Sequence, residues 1–178
     1  MCAFRLKIRA FRGMGDEVEA SRSVLESVYD LRPDIDLRED EEASKFLEVP
    51  RSQVNALRYI DYLRRDVEGG TFLIALTRLD LFVPGLNYCF GVAMEPVAIV
   101  STYRLSIDAD RERYSLRLKK EVSHEFGHLL GLNHCKDPSC VMYFSNSIKD
   151  TDNKDYRPCK SCMKRVVDSL TLRLRFVT

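Results

Sequence analysis

His124-Glu125-Phe126-Gly127-His128-Leu129-Leu130-Gly131-Leu132-Asn133-His134 holds all three histidines of this 178-residue chain. On an α-helix, residues four apart lie about 40° apart around the axis and one turn along it, so His124 and His128 can aim their imidazoles at one ion. Glu125 falls roughly 100° round, beside such an ion rather than on it. Gly131 can take the left-handed conformation that ends a helix and turns the chain, returning His134 as a third ligand. Three ligands leave one tetrahedral position open, as catalytic zinc requires. A lone helical histidine is usually a core or surface residue, but this composition would yield the five-residue pattern by chance with probability on the order of 10⁻⁶.

Downstream, Cys135-x₄-Cys140, eighteen residues, then Cys159-x₂-Cys162 form a four-thiolate set with the spacing of a structural zinc site. Four ligands close that site, so it carries no chemistry; tetrahedral sulfur alone does not separate zinc from iron. Cys135 directly follows His134, which couples the two sites, and a metal on the cysteines would hold His134 in place. The expected cofactor is Zn²⁺, two per chain, one catalytic and one structural. Zinc lowers the pKa of a bound water towards ~7 and polarises a carbonyl, and Glu125 is placed to take that water's proton and pass it to a leaving amine.

Upstream, residues 4–11 alternate as a strand, and Val18, Val24, Leu25 and Val28 recur on one helical face until Pro33. Residues 34–38 read as a second strand, 39–42 as a solvated acidic connection, and 51–65 as a second helix stopped by Gly69-Gly70. The continuous apolar run 71–77 predicts a central strand of a parallel sheet, covered on both faces. Residues 88–94 and 97–102, separated by Glu95-Pro96, predict a hairpin and hence an antiparallel edge strand that could bind an extended peptide. The longest helix spans 110–130. After Gly131 little regular structure is expected before a short helix at 160–170. The fold class is therefore α/β, a mostly parallel twisted sheet with flanking helices and a small, irregular, zinc-stapled C-terminal lobe. One catalytic domain spans 1–178, with an upper subdomain 1–131 and a lower subdomain 132–178.

The chain carries 28 basic and 27 acidic side chains with 45% hydrophobic residues, which excludes disorder and argues against a nucleic-acid or membrane partner. No apolar run approaches a membrane span and residues 1–13 lack a signal-peptide core, so the expectation is a soluble, cytoplasmic monomer. The basic groups at 111–120 and 160–165 read as solvated helix faces. Cys2 and Cys89 read as small buried hydrophobes or inert thiols. Gly127 inside a helix points to close approach of another segment.

The span from His124 to His134 matches the metzincin metalloprotease motif, and Cys140-Val141-Met142 resembles the Met-turn of that clan. With the interleaved cysteines, residues 121–162 resemble an archaemetzincin. The resemblance implies an α/β upper subdomain above the active-site helix and Met142 as an apolar support beneath the histidines, not a ligand. Tyr143 could bond a transition-state oxygen, although metzincins that use such a tyrosine place it two residues after the Met. The implied function is a zinc metallopeptidase acting on a peptide or protein. Cleavage at a chain end, as by an aminopeptidase, or at a narrow set of internal sites stays open. The competing reading is a non-catalytic zinc module that binds a peptide or protein on the same scaffold, for which Glu125 has no use.

Overall fold

The computed structural model describes residues 5–175; the expectations for Cys2 and Phe4 lie outside them. Strand β1 (Arg5–Phe11) leads into helix α1 (Gly15–Tyr29), and β2 (Asp34–Arg38) follows. Short strands β3 (Leu47–Glu48) and β4 (Gln53–Asn55) precede α2 (Ala56–Leu63), β5 (Thr71–Thr77) and β6 (Leu81–Phe82). The chain continues through β7 (Gly91–Met94), β8 (Val97–Ser101), α3 (Arg111–Leu129), α4 (Ile148–Asn153) and α5 (Lys160–Arg175). The main sheet runs β2-β1-β5-β8-β7, parallel except for β7, which pairs antiparallel with β8 through the Glu95-Pro96 link.

All seven residues of β5 are buried, as its unbroken apolar run requires. The two-residue period of a strand sorts them. Phe72, Ile74 and Leu76, with Ala98 and Val100 of β8, join the core that includes α1 and α3. Leu73 and Ala75, with Val97 and Ile99, join the core under α2. Helices α1 and α3 are pinned by Tyr29, whose hydroxyl lies 2.7 Å from Ser123 Oγ and whose ring meets Phe126 edge-on at 4.9 Å.

Several local expectations are corrected. Helix α1 stops at Tyr29, three residues before Pro33 could act, because Asp30 takes a left-handed conformation (φ 55°) and its N–H donates to Glu26 O. Helix α2 starts at Ala56 and not at 51, since residues 53–55 are drawn into a second, three-stranded sheet, β3-β4-β6, that periodicity did not announce. Gln53 anchors that detour by donating to Asp80 Oδ2 at 2.8 Å and to Asn87 O at 2.9 Å. The acidic run is not simply solvated: Glu41 accepts from Thr77 Oγ1 and from Arg78 N, and Glu42 accepts from Tyr62 and Arg9.

The C-terminal region is more regular than expected. Ser147 and Asp150 form a reciprocal capping box at the start of α4, and α5 continues to Arg175. The basic face of α3 is partly internal. Arg117 donates through Nε and Nη2 to both Asp152 carboxylate oxygens at 2.7 and 2.8 Å, and through Nη1 to Leu105 O and Ile107 O. Lys120 Nζ adds a bond to Asp152 O at 2.8 Å. These contacts clamp α4 and the segment that precedes α3 to that helix. Replacing Arg117 by Met removes a buried fork and orphans two carbonyls, so Arg117→Met should lower the unfolding free energy in urea by about 3–5 kcal/mol.

Candidate metal centres

The last turns of α3 carry His124 and His128 one turn apart, and the helix ends where Gly131 takes φ 84°. There Leu132 N donates to Gly127 O at 3.0 Å and Gly131 N to His128 O at 2.9 Å, a glycine-terminated cap that swings the chain back. His134 returns so that the three imidazole centroids lie 4.6, 4.8 and 5.4 Å apart.

Backbone carbonyls settle which nitrogens are available. His124 Nδ1 bonds Val141 O at 2.8 Å and His128 Nδ1 bonds Leu132 O at 2.8 Å. A carbonyl oxygen only accepts, so both Nδ1 atoms carry the proton and both Nε2 atoms present lone pairs. Those Nε2 atoms are 3.1 Å apart. Two lone pairs at that distance repel unless a cation lies between them, and ligand nitrogens around tetrahedral zinc would stand about 3.3 Å apart at Zn–N bonds of ~2.0 Å. The histidine set therefore fits a metal ion.

Glu125 is buried, and its Oε2 has no hydrogen-bond partner; the same holds for Glu121 one turn earlier. Burial raises the carboxyl pKa of Glu125 well above the ordinary value, with the charge of Glu121 acting in the same direction, and burial raises Glu121 too. All three imidazoles are held below the ordinary histidine value, burial being the largest cause. Both carboxyls and the three histidines line one cavity of about 440 Å³, walled on the other side by residues 86–93. Two glycines allow the packing there. A Cβ on Gly91 of β7 would stand 2.7 Å from Glu125 Cγ and Oε1. One on Gly127 would overlap Met142 Sδ, so this helical glycine answers the close approach expected of it, and the segment that approaches is the fully buried Met142.

The four thiols of Cys135, Cys140, Cys159 and Cys162 gather with all Sγ atoms within 4.8 Å of one another, and Cys135 and Cys159 sulfurs are 3.9 Å apart. Tetrahedral thiolates around zinc at ~2.3 Å stand about 3.8 Å apart, so this set fits an ion as well. Cys159 N–H donates to Cys140 Sγ at 3.2 Å. The two sites share backbone. Cys135 N donates to Met142 O at 2.8 Å, and Cys140 immediately precedes Val141, the carbonyl that orients His124. A backbone connection therefore runs from the cysteine set to His124 as well as to the neighbouring His134.

Some residues at this cleft were not read from the sequence. Glu121 and Lys154 line the cavity although each is nearly fully buried, and Phe144 sets its ring 4.8 Å from that of His134, tilted by 58°. The only available signal was the i, i+4 spacing of Glu121 and Glu125 on the motif helix. Cys89 also lines the cavity, and burial pushes its thiol up to about 12, in keeping with an inert thiol. The carbonyl of Tyr143 accepts from Lys154 Nζ at 3.2 Å.

Fold and site together define a metzincin-like α/β protein in which a three-histidine set lines a cleft and a four-cysteine set shares backbone with it. Residues 14–168 match the sequence pattern of Peptidase family M54, and the chain belongs to that family. It is 40% identical over 121 residues to an archaemetzincin of Pyrococcus horikoshii, a match covering 64% of this chain and 64% of that protein's length. It is 37% identical over 154 residues to one of Halobacterium salinarum, covering 81% and 88% respectively. Among solved structures, the archaemetzincin of Methanopyrus kandleri superposes with a TM-score of 0.83 at 29% identity, covering 95% of this chain and 97% of that one. The archaemetzincin of Archaeoglobus fulgidus, solved with malonate, gives 0.77 at 30% identity, covering 91% and 99%.

Two outcomes follow from the geometry. Gly127→Ala forces the Met142 side chain to move inside a filled core and should cost about 1–3 kcal/mol, read as a lower urea midpoint. On metal uptake at pH 7, the histidines are already neutral because their pKa values lie below the usual imidazole range, whereas burial raises the thiols of Cys140 and Cys162. Calorimetry of zinc binding to metal-free protein in buffers of differing ionisation enthalpy should therefore show more protons released by the cysteine site than by the histidine site, whose imidazoles contribute essentially none.

Proposed function

We propose that this chain is a zinc-dependent metallopeptidase in which Glu125 is the general base. The observation that supports it most is the convergence of the His124 and His128 Nε2 lone pairs, with His134 beside them, next to a Glu125 carboxyl whose Oε2 is unspent. In this reading His124, His128 and His134 hold a catalytic zinc, and Cys135, Cys140, Cys159 and Cys162 hold a structural one, two ions per chain. Zinc in such a three-histidine site supplies Lewis acidity towards a carbonyl and lowers the pKa of water towards ~7.

The chain's own groups do the rest. Glu125 takes the proton of the water that attacks the scissile carbonyl and delivers it to the departing amine. Glu125 is itself buried, which strengthens every charge interaction it makes. Strand β7 lies at the sheet edge against Glu125, and its unpaired side offers backbone groups for a peptide to bind in extended form. Met142 supports the histidine turns from below without ligating. The whole of 1–178 acts as one catalytic unit, with the cleft between the upper part, 1–131, and the lower part, 132–178.

The test is mass spectrometry of a diverse peptide library incubated with zinc-loaded protein, alongside Glu125→Ala and a chelator-treated sample. Glu125→Ala should retain two zinc ions per chain and lose hydrolysis by at least about 10²–10⁴-fold. Turnover at the wild-type rate in that variant would remove Glu125 from the mechanism. A wild-type chain with both zinc ions bound and no cleavage of any peptide would turn the reading to a binding module.

A further inference from the structure

Lysine is rarely fully buried unless it is paired, because its ammonium loses hydration on burial. Lys154 is 3% exposed, and among the described residues it is the only lysine or arginine lining the histidine cavity. It makes no ion pair within 4.0 Å among the described residues, and its Nζ donates one hydrogen bond, to Tyr143 O at 3.2 Å. An ammonium has three N–H groups, so two are unspent. The Oε2 atoms of Glu121 and Glu125 are also unspent in the same cavity; burial lowers the Lys154 ammonium's pKa, and both carboxyls oppose that shift from beyond contact distance.

The position of Lys154 is built. It follows α4, which Arg117 and Lys120 clamp to α3 through Asp152, and its backbone N–H donates to Asp150 O. A flexible surface lysine would be free to swing into water. This one is held by the Tyr143 carbonyl and follows a helix that is itself tied to α3. A buried cation with two open donors facing a cavity of peptide size is a receptor for an anionic oxygen.

We propose that Lys154 is the anion-recognising residue of the cleft, donating to a negatively charged oxygen of the bound peptide. The identity of the ligand rests on the peptidase reading; the cation and its open donors do not. Two oxygens have the required chemistry: the scissile carbonyl oxygen as it gains charge during attack, and a carboxylate at the peptide's C-terminus or on an acidic side chain. No bond is made or broken at Lys154 in either case. The role differs from that of a counter-ion for Glu121 and Glu125, which would hold the carboxyls in place without touching substrate.

Calorimetry on the zinc-loaded chain tests this with Lys154→Met and Lys154→Arg. One probe is a phosphinic peptide, whose tetrahedral anionic centre mimics the reacting carbon. The other is a pair of peptides differing only in a C-terminal carboxylate or amide, bound in the Glu125→Ala background so that neither is cleaved. Lys154→Met should weaken the phosphinic peptide, or the carboxylate member of the pair, by about 10- to 100-fold, with Lys154→Arg recovering most of the loss. Loss confined to the phosphinic probe assigns the reacting oxygen; loss confined to the carboxylate peptide assigns a substrate carboxylate. Unchanged binding of every probe by Lys154→Met overturns the proposal, as does failure of the wild-type chain to bind any of them. Joint loss of zinc and thermal stability in both variants reduces Lys154 to a structural counter-ion and overturns it too. If Lys154→Met does not fold, a crystal structure of Lys154→Arg with the phosphinic peptide decides, by the presence or absence of a guanidinium contact to the anionic oxygens. Because these readouts are binding and structure, absence of hydrolysis by the wild-type chain would overturn the peptidase reading without touching this one.

Discussion

The carbonyl oxygens of Val141 and Leu132 can only accept, and each takes an Nδ1–H from a histidine of α3. That constraint fixes both tautomers and turns two Nε2 lone pairs towards one point. Leu132 is available because Gly131 ends the helix in a left-handed turn, and Val141 because Cys140 holds that strand of chain among the thiols. The helix cap, the cysteine cluster and the Met142 segment are thus parts of one device for aiming two imidazoles. Met142 under Gly127 sets how close that segment comes.

Helix α3 bears an unusual load for a buried element. Along its inner face it carries Arg117, Lys120, Glu121, His124 and Glu125, all buried. Arg117 and Lys120 are satisfied by Asp152 and by carbonyls, so they tie the C-terminal region to the helix. Glu121 and Glu125 each leave an oxygen without a partner, which costs about 1–3 kcal/mol apiece in a folded protein. Strain and unmet polar groups persist where surrounding structure compels them, and they gather at sites of function. Here the two cores on either face of β5 supply the stabilising burial that offsets them.

The edge position of β7 places an unpaired strand along the cleft. Its antiparallel pairing with β8 brings Gly91 against the Glu125 side chain, where a larger residue would not fit. The cavity is therefore bounded by backbone on one side and by the histidine helix on the other, with Phe144 and Lys154 from the C-terminal region completing it.

The two candidate ligand sets and the frame of the fold were legible because their signals are local. Ligands at i, i+4 on a helix, a glycine that can turn left-handed and paired cysteines announce themselves within a few residues. The run of β5 and the two-residue link between β7 and β8 did so for the sheet. Where partners are distant in sequence, local pattern failed. Residues 53–55 look like the start of a helix but pair with β6, and the acidic run 39–42 looks solvated but meets Thr77, Arg78, Arg9 and Tyr62. Cavity residues Gly91, Phe144 and Lys154 come from three separate segments, none of which carries a chemical signature by itself. The sequence alone determined which residues could hold metal, since their spacing along one chain segment brings them together. Only the tertiary structure decided which carboxyls, which cation and which bare backbone face those residues, because burial and electrostatic contact depend on packing between elements that sequence distance keeps apart.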